Sequence, residues 1–179
     1  MISKVLLAPE CVIDWKSSPH MLVSGVTGST KTNTLEDVLL SVMSNKSRLE
    51  GQQEGMAAKV YLIDGKEADL ASLKMLNPAV TPNQAARTLR ILVQNMHKRY
   101  SHFSGQFGKT ANDYIVDGKR VRDAVIIIDE LAVLLNDQKL RSEIQRHLFE
   151  LLIAARQASI YVSPPLGAKN SSWNSASVS

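Results

Sequence analysis

The chain has 179 residues, a formal net charge of +4 and one cysteine. Its 44% apolar and 21% charged residues exclude wholesale disorder, and its length suits one α/β domain that buries roughly two-thirds of its unfolded surface. The lone Cys11 excludes an internal disulfide framework and a Cys-rich zinc site, and no apolar run approaches the roughly 18 residues of a membrane span.

In chain order, the opening segment has a short apolar stretch cut off by Pro9 and Glu10, too short for the core of a signal peptide. The expectation is a soluble, cytoplasmic protein. His20-Met21-Leu22-Val23-Ser24 runs apolar into Gly25, which predicts a strand and then a loop. From Lys31 onward, Leu35, Val38, Leu39, Val42 and Met43 recur at helical spacing. Residues 45–58 are polar and glycine-bearing and read as a loop. Val60-Tyr61-Leu62-Ile63 is a second strand that ends at Asp64-Gly65.

Pro78 and Pro82 bracket a loop, after which an amphipathic helix runs from about Asn83 to His102 with Ala85, Leu89, Leu92, Met96 and Tyr100 on its apolar face. Arg87, Arg90, Gln94, His97 and Ser101 lie on a different face. Asp117-Gly118 between two short apolar runs signals a hairpin. Val125-Ile126-Ile127-Ile128 is a third strand, Leu140 to Ala155 carries a last helical pattern, and Ile160-Tyr161-Val162 is a fourth strand. Residues 163–179 are rich in Ser and Asn without periodicity and read as a disordered tail behind a core of residues 1–162. Buried strands alternating with helices predict a mostly parallel sheet covered on both faces.

Charge is unevenly placed. Leu70 to Asn112 contains no acid and six cations, namely Lys74, Arg87, Arg90, Lys98, Arg99 and Lys109. Elsewhere 15 basic residues face 17 acidic ones, a balance of −2. A single-sign stretch of this kind either attracts a polyanion or is a solvated surface.

Two motifs carry chemistry. Gly25-Val26-Thr27-Gly28-Ser29-Thr30-Lys31-Thr32, between a strand and a helix, nearly fits the phosphate-binding pattern G-x-x-x-x-G-K-[ST]. Glycines let successive backbone N–H groups face phosphate oxygens, and the helix start adds partial positive charge. Lys31 would reach the β- and γ-phosphates of ATP, and the Thr32 hydroxyl would ligate Mg²⁺. Thr30 stands where glycine is expected, and a β-branched residue there strains the loop or crowds the nucleotide. Roughly 100 residues later the strand Val125–Ile128 runs into Asp129-Glu130. Asp129 would hold Mg²⁺ through water, and Glu130 would orient or deprotonate the attacking water. Together they point to a P-loop NTPase. The four histidines show no metal spacing, Cys11 has no activating context, and Trp15 and Trp173 are too isolated for a base-stacking platform.

At these residues the chain resembles the FtsK/SpoIIIE DNA translocases, with the coupling ATPases of Gram-positive conjugative elements the nearest subgroup. The likeness covers about residues 12–162 and rests on five segments in order. Pro19 to Gly28 is similar to the family's Walker A approach, and Tyr61 to Leu70 to its I-D-P-K strand end, with Gly65 where proline is usual. Met96 to Tyr100 resembles its M-x-x-R-Y helix, Val125 to Leu131 its Walker B, and Ala154 to Ile160 its helix-to-strand step. The resemblance implies a RecA-like three-layer sandwich and a motor, usually a hexameric ring, that moves double-stranded DNA with ATP. It makes Arg156 a candidate arginine finger toward a neighbouring subunit's nucleotide.

Two features depart from the family. Ser163-Pro164-Pro165 replaces its T-Q-R-P sensor segment, and the strand and helices that follow in the family are missing. The loss of that strand is expected to leave one side of Met21–Ser24 unpaired. Two readings follow. One is an ATP-driven DNA motor domain for cell division or conjugative transfer. The alternative is a truncated, non-hydrolysing remnant that binds nucleotide weakly or serves as an interaction module. A small kinase fits less well, given Glu130 beside Asp129.

Overall fold

The computed structural model describes residues 4–8, 11–14, 20, 23–25, 31–44, 46–47, 55–56, 58–116, 119–163 and 165–167. In chain order the elements are β1 (Lys4–Ala8), β2 (Cys11–Asp14), β3 (Val23–Gly25), α1 (Lys31–Ser44), β4 (Lys46–Ser47), β5 (Gly55–Met56), β6 (Ala58–Asp64), α2 (Pro82–Phe103), β7 (Ile115–Val116), β8 (Lys119–Arg120), β9 (Asp123–Asp129), α3 (Leu131–Leu134), α4 (Arg141–Ala154), β10 (Ile160–Ser163) and β11 (Pro165–Gly167).

The parallel sheet has the order β10-β9-β6. β9 is central and buried along its whole length, as a four-residue β-branched run covered on both faces requires. Its register sets Ala58 opposite Asp123 and Asp64 opposite Asp129 on one side, and Ile160 opposite Ala124 on the other. Beyond β10, His20 bridges Val162 in parallel, and β3 pairs in parallel with β11, Val23 opposite Pro165. The offset in residue number is the same at both places.

Successive side chains of β9 point to opposite faces and separate two cores. Val125 and Ile127 join Leu35, Val38, Leu39 and Val42 of α1. Ala124, Ile126 and Ile128 join Leu89, Leu92 and Met96 of α2 and Ile144, Leu148 and Leu151 of α4. The result is the helix–sheet–helix sandwich expected from the alternating pattern.

Local chemistry sets the helix starts. Thr81 caps α2, its Oγ1 accepting from Gln84 N at 3.3 Å while Gln84 Oε1 accepts from Thr81 N at 3.1 Å, with Pro82 in the first turn. Asp137 prepares α4, its Oδ1 accepting from the N–H groups of Lys139 and Leu140.

Three local expectations differ from the structure. Residues 45–58, read as a loop, hold the two-residue pair β4–β5 and the first residue of β6. Backbone pairing that short carries no side-chain period to detect. Lys4–Ala8 and Cys11–Asp14 form an antiparallel pair that the opening apolar stretch does not announce. Within 163–179, read as structureless, Ser163 closes β10 and Pro165–Gly167 forms β11. Residues 168–179 lie outside the described residues. No helix among the described residues is long and apolar enough to cross a membrane.

Candidate functional site

The C-terminal ends of β6, β9 and β10 share one edge of the sheet, because all three run parallel, and β3 runs parallel to β11, which follows β10 in the chain. Ligands of open α/β sheets bind along that edge. It carries Asp64, Asp129 with Glu130, and Ser163, while Gly25 ends β3 opposite Gly167.

Asp129 is the last residue of β9 and only 7% exposed. Its carboxyl is pushed above the usual carboxylate range, first by burial and then by the neighbouring Asp64 carboxylate. Asp64 is fully buried but well satisfied. Its Oδ1 accepts from Lys66 N, and its Oδ2 from Ala68 N and Ala71 N, each at 3.0 Å. Those three bonds shape the turn that follows β6.

Glu130 adopts the left-handed conformation, φ 48° and ψ 54°, between β9 and α3. Its Oε2 lies 2.9 Å from Lys66 Nζ. Gly65 makes room for it, since a Cβ at position 65 would sit 2.4 Å from the Glu130 carbonyl oxygen. Gly65 N also donates to Asp129 O at 3.0 Å, which a proline could not do. Ser163 Oγ is buried with no hydrogen-bond partner among the described residues.

The other sequence-derived residues divide as follows. Gly25 ends β3, and Lys31 and Thr32 open α1, so a strand precedes the phosphate-binding motif and a helix follows it. Val26, Thr27, Gly28, Ser29 and Thr30 lie outside the described residues. Arg156 does not join the acidic edge. It is exposed in the turn between α4 and β10, at the opposite, N-terminal edge of the sheet. Sequence reasoning did not single out Lys66 or the Asp64 carboxylate as members of the site. The signal available was an acid ending one parallel strand beside another strand ending in Asp-Glu.

The basic segment is partly consumed by the fold. Arg90 donates twice to Glu143 Oε1 of α4, at 2.9 and 2.5 Å. Arg99 is drawn inward, its NH1 donating to the carbonyls of Ala158 at 2.5 Å and Ser159 at 3.2 Å, and its NH2 to that of Arg122 at 2.9 Å. His97 Nε2 meets Glu150 Oε1 at 2.6 Å. Arg87 and Lys98 are exposed.

Comparison with known proteins places this geometry. A family model described as "FtsK/SpoIIIE family" matches residues 4–158. The DNA translocase FtsK of Caldanaerobacter subterraneus subsp. tengcongensis is 32% identical over 158 residues, covering 84% of this chain and 21% of its own length. The DNA translocase SftA of Bacillus subtilis is 32% identical over 136 residues, covering 69% of this chain and 13% of its own. The chain therefore spans about a fifth or less of these relatives. Among solved structures, the pCW3 conjugation coupling protein TcpA, a monomer form with ATPgS, superposes with a TM-score of 0.70 at 24% identity, over 87% of this chain and 44% of that one. That likeness shows a shared fold.

Proposed function

Because the chain belongs to the FtsK/SpoIIIE family, we propose that it acts as an ATP-binding motor domain that couples ATP hydrolysis to transport of double-stranded DNA, in cell division or conjugative transfer. What supports this reading is the sequence order of a phosphate-loop motif flanked by β3 and α1 and of Asp129-Glu130 at the end of the central strand β9. The match across residues 4–158 favours a working motor domain over a remnant.

The residues present fit ATP and Mg²⁺. Asp129 is a buried carboxylate held beside a second one, an arrangement that a divalent cation relieves. Ser163 Oγ is a buried hydroxyl without a partner among the described residues. No cluster of three His, Cys, Asp or Glu among the described residues would hold an ion alone. Mg²⁺ needs none, since it binds through one or two protein oxygens together with substrate phosphates. Bound Mg²⁺ would offset the negative charge that develops on the transferred phosphoryl group.

On this reading Gly25 to Thr30 wrap the phosphates, Lys31 binds the β- and γ-phosphate oxygens, and Thr32 and Asp129 are the metal's protein contacts. Glu130 accepts a proton from the attacking water or orients it. Arg156, at the far edge of its own sheet, serves a neighbouring subunit's nucleotide in a homo-oligomeric ring, a hexamer by family resemblance. The setting is the cytoplasm.

The test is steady-state ATP hydrolysis with and without duplex DNA. Lys31→Ala and Glu130→Gln are each expected to lower DNA-stimulated turnover by about 100-fold or more, with Glu130→Gln still binding Mg-ATP. Turnover in the unaltered chain no higher than in Lys31→Ala would remove the motor reading.

A further inference from the structure

Resting on that ATPase reading, we propose that Lys66 is a positioning residue for Glu130, a fixed ammonium that holds the carboxylate where it can receive a proton from water. The two side chains join the ends of neighbouring strands, β6 and β9, through one contact of 2.9 Å.

Both ends of this contact are held. Lys66 leaves from a turn whose backbone is tied to Asp64 by three hydrogen bonds of 3.0 Å. Glu130 leaves from a left-handed backbone position, which a residue with a side chain occupies only where its surroundings determine it. Here the surroundings are Gly65, whose missing Cβ admits the Glu130 carbonyl, and the Gly65 N to Asp129 O bond. The acid-bearing strand end and the lysine-bearing turn are thus stitched together through the backbone.

The pair is not there for stability. Lys66 is 44% exposed at its side chain, and surface ion pairs contribute little net free energy. Its effect is on geometry. A glutamate carboxylate swings on three torsions, whereas a general base must sit within hydrogen-bond reach of the proton it takes. The 2.9 Å contact is made to Oε2, and a carboxylate has a second oxygen that can accept from water. The ammonium also offsets the crowding of Asp64, Asp129 and Glu130 at this edge. That is a second reason for a cation here, and it does not require direct phosphate contact.

The experiment compares the unaltered chain with Lys66→Met, Lys66→Arg, and Lys66→Met in a Glu130→Gln background. It measures kcat and KM for ATP and, separately, the Kd for Mg-ATP by calorimetry. Lys66→Met is expected to lower kcat by about tenfold with Kd unchanged within about twofold. Lys66→Arg, which keeps the charge, should recover kcat to within about threefold. In the Glu130→Gln background Lys66→Met should add no further loss. A Kd weakened about tenfold or more would make Lys66 a phosphate ligand and overturn the proposal. An unchanged or raised kcat in Lys66→Met would overturn it too, the latter by making the pair a restraint. These outcomes leave the motor reading standing. Only an unaltered chain with no turnover above Lys31→Ala would bring both down together.

Discussion

The C-terminal edge of the sheet and the α2–α4 layer both gather charge, and they use it in opposite ways. At the edge, the carboxylates of Asp64, Asp129 and Glu130 crowd around Lys66, and the Asp129 carboxyl is pushed up by burial and repulsion. From α2, Arg90 reaches Glu143 of α4, and Arg99 reaches three backbone carbonyls just before β9 and β10. The first arrangement leaves like charges crowded together. The second turns charge into a fastening. Substitutions should therefore trade stability for activity in opposite senses at the two places.

The largest effect on stability is expected at Arg99. Its guanidinium is largely buried, and burial lowers its pKa against the opposing pull of Asp123. Arg99→Ala would leave the carbonyls of Ala158, Ser159 and Arg122 without that donor, next to a Ser159 held at φ 57°. The expected loss is about 2–4 kcal/mol of unfolding free energy, read from a urea or guanidinium transition. Turnover per folded molecule should be unchanged. Arg87→Ala, on the exposed face of the same helix, should leave the transition in place. If both variants behave alike, Arg99 is not the fastening that its contacts describe.

That contrast marks what the sequence could and could not say. The strands and helices were legible because burial imposes a period. The run Val125–Ile128 announced a strand covered on both faces, and Leu89, Leu92 and Met96 announced the inward face of α2. The acidic pair was legible because a strand delivers its last residue to a known edge. The charge count was less informative. Six cations in an acid-free stretch look like one basic surface along the chain, yet Arg90 and Arg99 are committed to partners 23 to 60 residues away. The partner of Lys66 was not legible for the same reason, since Glu130, 64 positions later, follows a strand that only the parallel register brings alongside. Pairings of β6 with β9 are long-range facts, and local spacing does not contain them.

A smaller effect is expected at Gly65, where the site touches its scaffold. Gly65→Ala puts a Cβ 2.4 Å from a backbone oxygen and 3.1 Å from Leu134 Cγ, so the backbone at Glu130 must shift. Overpacking of this kind costs about 1–3 kcal/mol. Because the atom that must move belongs to Glu130, kcat should fall along with stability while nucleotide affinity holds. A variant that loses stability and keeps kcat would mean that the Glu130 backbone geometry is not what sets its chemistry.

The smallest effect has the opposite sign, which is why it is the sharpest test of the comparison. The Asp129 carboxyl is raised in the folded chain, so folding disfavours its ionised form. Above its raised pKa the folded chain carries it ionised, and the full penalty of burial and of Asp64 weighs against the fold. Below the ordinary carboxylate range both folded and unfolded chains carry it protonated, and the penalty is gone. Asp129→Asn should therefore raise the midpoint of thermal unfolding at neutral pH by about 2 °C, with the gain fading as pH falls through that range. ATP turnover should be lost in the same variant. Arg99→Ala is expected to do the reverse on both counts. An Asp129→Asn variant that is less stable at neutral pH would mean that the carboxylate fastens the fold as Arg99 does, and the distinction between the two regions would fail at the residue where it is drawn most sharply.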